Sequence, residues 1–517
     1  MEPASITTAL PSIQATPAAA AVGGLVFSVY FIPFFWLLGL TRDFFLFLIG
    51  RPEFAEVPGL PVLGNLLQLT EKKPHKTFSN WAETYGPIYS IKTGSSSVVV
   101  LNTTDAAKEA MVTKFASIST RKMSKALSVL TQDKTMVAVS DYDDFHKMVK
   151  RHVLTNLLSP SAQKRLRSQR DMMVDNIAAQ LLAHAKSHPG KALNFRKVFE
   201  SELFGLSMRQ AIGKDVQSIY VEELGTTVSR RGIFKALVLD PMDGAIEVDW
   251  RDFFPYLSWI PNPSFEAKIE QMHYQRQAVM SALIAEQKQR IASGEAIDCY
   301  VDYLLAEGKN LTDLQVSMLI WETIIETSDT TLVSTEWAMF ELAKNPDIQE
   351  RLVCQIQAVC GSEEVSEQHL SKLPYLSAIF HETLRRHSPV PVIPLRHVDV
   401  DTELGGYHVP AGTEIAINLY GCNMDSKQWE NPDEWLPERF LGGGSDPMEL
   451  HKTMAFGSGK RACAGALQAM LIACTSIGRM VQQFEWRLKE GEVDNVDTVA
   501  LTARKLDPLH VIIKSRS

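Results

Sequence analysis

Most of the chain alternates apolar and polar side chains with the period of an amphipathic α-helix. In two regions, residues 87–102 and 405–420, the apolar positions recur at every second residue instead. This pattern predicts short β-strands, the first two joined by a hairpin turn. We therefore expect a protein that is mainly α with a minor β-sheet region. The clearest helical periods cover residues 161–186, 266–293, 312–344, 375–387 and 464–483.

The N-terminal residues follow a third pattern. Residues 18–40 carry no charged side chain, and at about 1.5 Å per residue they can cross a bilayer core as one helix. Arg42 and Arg51 follow this segment, so the positive-inside rule leaves the rest of the chain in the cytosol. A cleaved secretory signal and a buried core helix are the alternatives. The segment is too long for the first and too close to the terminus for the second.

The positions of the apolar segment and the helical region predict the domain organisation. Residues 1–17 form an N-terminal tail, and residues 18–41 form a transmembrane anchor. Residues 42–65 are rich in proline and glycine, which impose turns and fixed backbone angles, so we expect a stiff hinge there. The remaining residues, 66–517, form one large globular body.

Charge and cysteine content exclude some classes of protein. A net charge of -8 argues against a general nucleic-acid binder. The six cysteines include no pair in CxxC spacing, which favours a reducing compartment. One of them, Cys463, lies between glycines directly before a predicted helix. The partial positive charge at a helix N-terminus lowers the pKa of a thiol, so we expect a reactive or ligating sulfur.

The stretch "FGSGKRACAG" around this cysteine is a long and specific motif. It fills every fixed position of Phe-x-x-Gly-x-Arg-x-Cys-x-Gly with Phe456, Gly459, Arg461, Cys463 and Gly465. The motif resembles the haem-ligand loop of the cytochrome P-450 family. The resemblance implies haem b (iron protoporphyrin IX) as cofactor, with the Cys463 thiolate as its axial ligand.

Two further motifs support the resemblance and occur in the family's order. "ETLR" contains Glu382 and Arg385, and "PERF" contains Arg439. In the family these three residues form a buried network beside the haem. The resemblance therefore implies the cytochrome P-450 fold behind a single N-terminal transmembrane helix. It also implies a monooxygenase that uses dioxygen and takes electrons from NADPH through a membrane-bound cytochrome P-450 reductase.

The haem propionates need cationic partners, and the resemblance indicates four. Arg461 and Arg396 are the first two candidates. In an early helix the family usually has a Trp and an Arg four residues apart, where this chain has His146 and Lys150. Both side chains can still donate to a carboxylate, although Lys lacks the bidentate geometry of Arg.

The stretch "WETIIETSDTTL" at residues 321–332 is unusual for a helix. The helical angle places its hydroxyl groups on one stripe and its acids on the next. In an isolated helix this pattern favours a solvated face, or hydroxyls bonded to their own backbone. In the family it matches the central helix, where Asp329 and Thr330 would be the acid–alcohol pair that relays protons from solvent. Glu326 and Thr327 stand where the family usually has Ala or Gly followed by Gly.

Several stretches, including "YGCNMDSKQWENPDEWLPERF", are similar to plant members of the family that oxidise a diterpene hydrocarbon. Such a substrate has no hydrogen-bonding group, so the shape of the pocket must position it, and shape discriminates weakly. A hydroxylase of another labdane-related diterpene therefore remains an alternative, as does a haem-thiolate isomerase without oxygen activation. We expect the pocket to include Glu326, Thr327, Val390, Val392, Ile393 and Leu501.

The resemblance also predicts where the protein works. A hydrocarbon substrate partitions into the bilayer, and an anchor would hold the pocket entrance near it. The expected membrane is that of the endoplasmic reticulum, the plastid outer envelope, or both. The reductase would dock on the cysteine side of the haem. A basic patch for this docking is expected from Lys147, Lys150, Arg151 and Lys460. The alternative is that these residues form only a solvated charge cluster.

Overall fold

A computed structural model describes residues 54–69, 73–295, 299–308, 310–442, 446–494, 496–499 and 501–516. The predicted tail, the predicted anchor and the first part of the predicted hinge, up to residue 53, lie outside these residues. Within the described ranges, no helix is both long enough and apolar enough to cross a membrane.

Helices dominate the described chain, as the apolar pattern predicted. The longest is α13, a 32-residue helix that starts with a capping box formed by Thr312 and Gln315. The α-helices are α1 (Pro74–Tyr85), α2 (Thr104–Lys108), α3 (Lys125–Leu130), α4 (Asp144–Val153), α5 (Pro160–Arg165), α6 (Arg167–Ser187), α7 (Phe195–Ile212), α8 (Arg230–Phe234), α9 (Asp240–Ala245), α10 (Trp250–Phe253), α11 (Pro263–Ala292), α12 (Tyr300–Glu307), α13 (Asp313–Lys344), α14 (Pro346–Cys360), α15 (Pro374–Arg386), α16 (Leu419–Asn423) and α17 (Ala466–Gln483).

The predicted helices agree with the structure except at their ends and in one case. The region 161–186 is divided into α5 and α6, because Leu166 between them leaves the helical conformation. Helices α11 and α15 begin slightly earlier than predicted, each with a proline in its first turn. The predicted helical ranges did not include α1, α7 or α14. Of these, α7 packs along α13 in the core.

The strands are short, and six of the fifteen described strands lie in the largest sheet. This sheet has the order β1-β2-β3-β11-β8-β4, with β11 parallel to β3 and antiparallel to β8. The remaining strands form the small sheets β12-β15-β5, β9-β10, β13-β14 and β6-β7. The strands are β1 (Ala55–Glu56), β2 (Ile88–Thr93), β3 (Ser96–Leu101), β4 (Thr120–Arg121), β5 (Leu193–Asn194), β6 (Ser218–Val221), β7 (Thr226–Ser229), β8 (Val392–His397), β9 (Thr402–Leu404), β10 (Tyr407–Val409), β11 (Glu414–Asn418), β12 (Phe484–Leu488), β13 (Val496–Val499), β14 (Thr502–Lys505) and β15 (His510–Ser515).

The predicted hairpin is formed by β2 and β3, with Gly94 in the turn between them. Gly94 has φ +62°, and a Cβ at this position would overlap the carbonyl of Phe253. Both the backbone conformation and the close approach therefore require glycine. The second predicted β region gives β10 and β11, but its last residues form the short helix α16 instead.

Helix α13 joins the two main apolar clusters of the protein. Its C-terminal half, from Leu332 to Ala343, packs with α6, α7, α14, α15 and α17. Its N-terminal half, from Val316 to Ile325, packs with α4, α7, α11 and α12. A helix that is apolar on most of its circumference belongs in a core. The polar middle of α13, residues 326–330, consequently lies deep in the molecule between the two clusters.

Candidate functional site

The cysteine motif forms a tight loop that leads directly into α17. The backbone N–H of Cys463 donates to the carbonyl of Phe456 at 2.9 Å, which closes the loop. A 3₁₀ turn over Gly459–Arg461 lies inside it. Gly459 has φ +71°, and a Cβ there would overlap the carbonyl of Met111. The glycine spacing of the motif is thus a steric requirement of this loop.

The Cys463 thiol has a raised pKa, contrary to the expectation from its place before a helix. Burial is the main cause and the Glu326 carboxylate the second, and they raise the pKa of the thiol to about 11. A hydrogen bond from the backbone of Gly465 and the charge of Lys150 lower the pKa, but by less. Desolvation of the thiolate therefore outweighs the helix N-terminus. Coordination to a metal ion is the step that would remove this proton.

Between Met318 and Ala343, α13 is buried except at three side chains, those of Glu326, Thr327 and Thr330. We call these three side chains the window of α13. Glu326 is close enough to Cys463 to raise the pKa of its thiol. The side chain of Glu326 is accessible to water, yet its carboxyl is surrounded by protein. The side chain of Cys463 is likewise accessible although protein encloses its sulfur, so the window and the thiol border one internal cavity.

The predicted acid–alcohol pair is divided between two sides of α13. Thr330 belongs to the window, and its hydroxyl donates weakly to the carbonyl of Glu326 at 3.4 Å. Asp329 is buried and accepts hydrogen bonds from Thr502 Oγ1, at 2.7 Å, and from the guanidinium of Arg504. The proton relay by Asp329 and Thr330 stays a prediction, with the acid already engaged in an ion pair.

The four predicted propionate partners lie together, and a fifth cation joins them. Burial and the charges of Arg396 and Arg461 lower the pKa of Arg121 to about 9. Burial and the charges of Arg461 and Lys150 lower the pKa of His146 to about 4. Burial and Arg461 lower the pKa of Arg396 to about 10. We call these five residues the cation cluster. His146, with a pKa of about 4, is neutral at pH 7, so the positive charge comes from the other four.

The cation cluster has the properties of a site for an anionic ligand. Three of its buried nitrogens, Nε of Arg396, Nε of Arg461 and Nε2 of His146, have no hydrogen-bond partner in the described part of the chain. None of the five residues forms an ion pair with a described carboxylate. Buried cations that repel one another are costly unless anions lie among them. Two propionate carboxylates would supply that charge, so these residues fit a haem.

Arg121 was not predicted from the sequence. It lies in the two-residue strand β4, which pairs with β8 so that Arg121 is directly opposite Arg396. Like charges at directly opposed positions destabilise a sheet. The pairing is set by a contact between segments 275 residues apart in the chain, counted from 121 to 396. A local motif carries no information about such a contact.

Glu382, Arg385 and Arg439 form a buried network. Arg385 donates to both oxygens of Glu382, at 2.7 and 2.8 Å, and both side chains are fully buried. Arg439 reaches the same carboxylate at 3.4 Å, and the backbone N–H of Leu436 donates to it at 2.8 Å. The charge of Glu382 is thereby fully paired, which a buried carboxylate requires.

The two segments that carry the apolar residues predicted for the pocket are joined to each other. The backbone N–H of Ala503 donates to the carbonyl of Pro389 at 2.8 Å, which brings Leu501 near Val390. Val390, Val392 and Leu501 are half-buried, whereas Ile393 is buried. On the window, Thr327 Oγ1 accepts a hydrogen bond from Gln468 of α17 at 3.3 Å.

The chemistry of this site defines a class of protein. A sulfur ligand in a glycine-rich loop, with buried cations nearby, matches the requirements of a haem with a thiolate axial ligand. The sequence profile of the family described as "Cytochrome P450" matches residues 55–509, and the chain belongs to this family. It is a haem-containing cytochrome P450 monooxygenase.

Individual members of the family are also similar to this chain over most of its length. An "Ent-kaurene oxidase" of Salvia miltiorrhiza is 62% identical over 508 residues, which cover 98% of each chain. "Ent-kaurene oxidase 2" of Oryza sativa subsp. japonica is 62% identical and covers 89% of this chain and 91% of its own length. An "Ent-sandaracopimaradiene 3-hydroxylase" of the same rice is 55% identical, with 89% of this chain and 90% of its own length covered.

A solved structure shares the fold. A zebrafish cytochrome P450 with progesterone superposes with a TM-score of 0.71 at 20% sequence identity. The match covers 86% of this chain and 99% of the zebrafish chain. The predicted cytochrome P-450 fold, mainly helical with a minor sheet region, is therefore confirmed.

Proposed function

We propose that this protein oxidises ent-kaurene, converting one ring methyl through the alcohol and the aldehyde to ent-kaurenoic acid on the route to gibberellins. The observation that supports this is the 62% identity to the Salvia miltiorrhiza ent-kaurene oxidase over 98% of both chains. Each of the three oxidations consumes one dioxygen, two electrons and two protons. One oxygen atom goes to the substrate and the other leaves as water. In the second oxidation the resulting gem-diol then loses a further water to give the aldehyde. The electrons come from NADPH through a cytochrome P-450 reductase.

The residues of the site have separate tasks in this proposal. Haem held by Cys463, when bound, activates dioxygen and inserts one oxygen atom into a C–H bond. The cation cluster holds the two propionates by charge-assisted hydrogen bonds. Thr330 passes protons into the cavity, supplied through Asp329. Val390 and Leu501 hold the hydrocarbon by shape and exclude water.

Turnover with ent-kaurene in the presence of reductase tests this function, with every product followed by mass spectrometry. Ent-kaurenoic acid as the end product supports it. A rice relative 55% identical to this chain is a 3-hydroxylase of a different diterpene, which motivates the second candidate. A single alcohol, or turnover only of another labdane-related diterpene, would favour that candidate. Product formation without dioxygen and NADPH would identify an isomerase.

We propose that the predicted anchor, residues 18–41, holds the protein in a membrane. The catalytic domain, residues 66–517, would then lie in the cytosol. The endoplasmic reticulum, the plastid outer envelope or both are the expected membranes. Because ent-kaurene partitions into lipid, a truncated protein that begins after the anchor should require detergent-solubilised substrate. Fusion of the first 53 residues to a fluorescent protein tests the location directly.

The reductase contact is proposed at the basic patch of Lys147, Lys150, Arg151 and Lys460. Lys150 Nζ donates to the carbonyl of Lys460 at 2.6 Å, and the ammonium groups of Lys460 and Lys147 lie 5.3 and 5.7 Å from the ring centre of Tyr142. Lys147→Glu should lower turnover supported by reductase and leave the absorption spectrum intact. Unchanged turnover in Lys147→Glu would argue against this patch as the reductase contact. Lys214→Glu, an exposed charge reversal elsewhere, is the control.

A further inference from the structure

One carboxyl group in the cavity has no task in the proposed function. Glu326 is the only ionisable member of the window of α13. No hydrogen bond reaches its carboxyl from any residue that the structure describes, whereas Glu322, one turn earlier, accepts from the backbone N–H groups of Val137 and Ala138, both at 2.8 Å. Glu322 is therefore occupied as a structural anchor. Glu326 is free to bind a ligand in the cavity.

The environment of Glu326 favours a carboxyl that both donates and accepts hydrogen bonds. Burial raises the pKa of Glu326 to about 7. Its protonated form, which this shift favours, carries an O–H donor beside the carbonyl acceptor, and its ionised form accepts through both oxygens. It lies near the thiol of Cys463, the residue that would hold the haem.

The substrate of a three-step oxidation changes its polarity at one carbon. The hydrocarbon needs only apolar contact, but the alcohol and the aldehyde each introduce an oxygen into a pocket for which Val390 and Leu501 are the predicted apolar lining. A polar group in apolar surroundings without a hydrogen bond is destabilised, which favours its return to water or lipid. A partner beside the reacting carbon would oppose that early release.

We propose that the Glu326 carboxyl hydrogen-bonds the oxygen of the alcohol and aldehyde intermediates and so retains them for the next oxidation. The proposal rests on the proposed function and assigns to Glu326 a role in specificity.

Equilibrium binding tests the proposal without turnover. The haem-loaded full chain is titrated with ent-kaurene and separately with its alcohol, ent-kaurenol, and the shift of the haem absorption band is recorded. Glu326→Leu should weaken alcohol binding about tenfold, the effect of losing one hydrogen bond, and change hydrocarbon binding by less than about twofold. Glu326→Gln, which keeps a donor and an acceptor, should bind the alcohol within about threefold of the unmodified chain.

Product analysis gives a second readout. Glu326→Leu should release alcohol in place of acid, and Glu326→Gln should restore acid formation. Unchanged alcohol affinity in Glu326→Leu would overturn the proposal. So would equal losses for alcohol and hydrocarbon, because these indicate a change of pocket shape. Loss of coupling in both variants with normal alcohol binding would assign Glu326 to proton delivery instead. Turnover of ent-kaurene by the unmodified chain tests the proposed function separately, since it does not depend on which residue binds the alcohol.

Discussion

The guanidinium of Arg504 binds the Asp329 carboxylate on the buried side of α13. Arg504 belongs to strand β14, whose Thr502 donates to the same carboxylate. The adjacent residue, Thr330, is one of three unburied side chains in the middle of this helix. Both oxygens of the Asp329 carboxylate are thus engaged. In the proposed relay, Asp329 would have to exchange these partners to pass a proton to Thr330.

Thr330→Ala should uncouple NADPH consumption from product formation. The hydroxyl makes only a weak bond to its own helix, so its loss affects proton delivery more than folding. We expect the product formed per NADPH to fall about tenfold and hydrogen peroxide to rise. Thr335→Ala removes a similar hydroxyl, bonded to the carbonyl of Thr331, from a buried position outside the window and is the matched control. If Thr330→Ala formed as much product per NADPH as the unmodified chain, Thr330 would not be part of a proton relay.

Cys463→Ser should abolish the absorption band that carbon monoxide gives with a reduced haem-thiolate protein. Serine cannot supply the soft sulfur ligand on which this band depends. Cys354→Ser, at an exposed cysteine, should leave the spectrum unchanged. If the band persisted in Cys463→Ser, another residue would have to be the ligand.

Arg396→Gln should have opposite effects on the haem-free and haem-loaded protein. Without haem, the substitution relieves repulsion with Arg121 and Arg461, so the melting temperature should rise. With haem, it removes a charge-assisted hydrogen bond worth about 1.5–3 kcal/mol, so haem transfer to a scavenger protein should accelerate about tenfold or more. Arg386→Gln, outside the cation cluster, is the control. Equal haem retention in both variants would argue against Arg396 as a propionate partner.

Glu382→Gln should be strongly destabilising. It leaves the fully buried Arg385 without its carboxylate, and breaking one side of a buried pair costs about 3–5 kcal/mol. The exposed pair of Lys214 and Glu286 offers the comparison, since Glu286→Gln should cost at most about 1 kcal/mol. Denaturant unfolding of the two variants measures the difference. Similar costs would mean that the Glu382 network contributes little.

His75 should make the protein less stable in mild acid. Burial, with smaller effects of Lys76 and Lys73, lowers the pKa of His75 to about 4 in the folded protein, against about 6.5 when unfolded. Below about pH 6.5 the unfolded chain binds a proton that the folded chain excludes, so stability falls until about pH 4 and then levels off. At pH 5 this amounts to about 2 kcal/mol.

His75→Phe should therefore reduce the drop in denaturation midpoint between pH 7 and pH 5. The ring of His75 packs edge-on against Tyr420, with centres 4.9 Å apart, and phenylalanine can keep this contact. His188→Phe, at an exposed histidine that is hydrated in both states, should leave the drop as it is. An unchanged drop in His75→Phe would show that other groups dominate the pH dependence.

Local sequence was sufficient wherever the structure depends on neighbouring residues. The helices α11, α13, α15 and α17 follow from apolar periodicity, because each buries one or more faces at fixed spacing. The loop around Cys463 follows from a motif of ten residues, because its glycines satisfy steric limits within the loop and against one adjacent segment. The family resemblance then indicated the class of cofactor, and the family match confirms it.

Only the tertiary structure decided the partners and the protonation of the site. Arg121 stands opposite Arg396, and Arg504 binds Asp329, through contacts between distant segments that no local pattern encodes. The pKa of the Cys463 thiol is raised where the helix position predicted the reverse, because burial is a property of the whole fold. The amino-acid sequence thus determined the main helices and the loop around Cys463. Tertiary packing determined the ion pairs and the pKa values of the site residues.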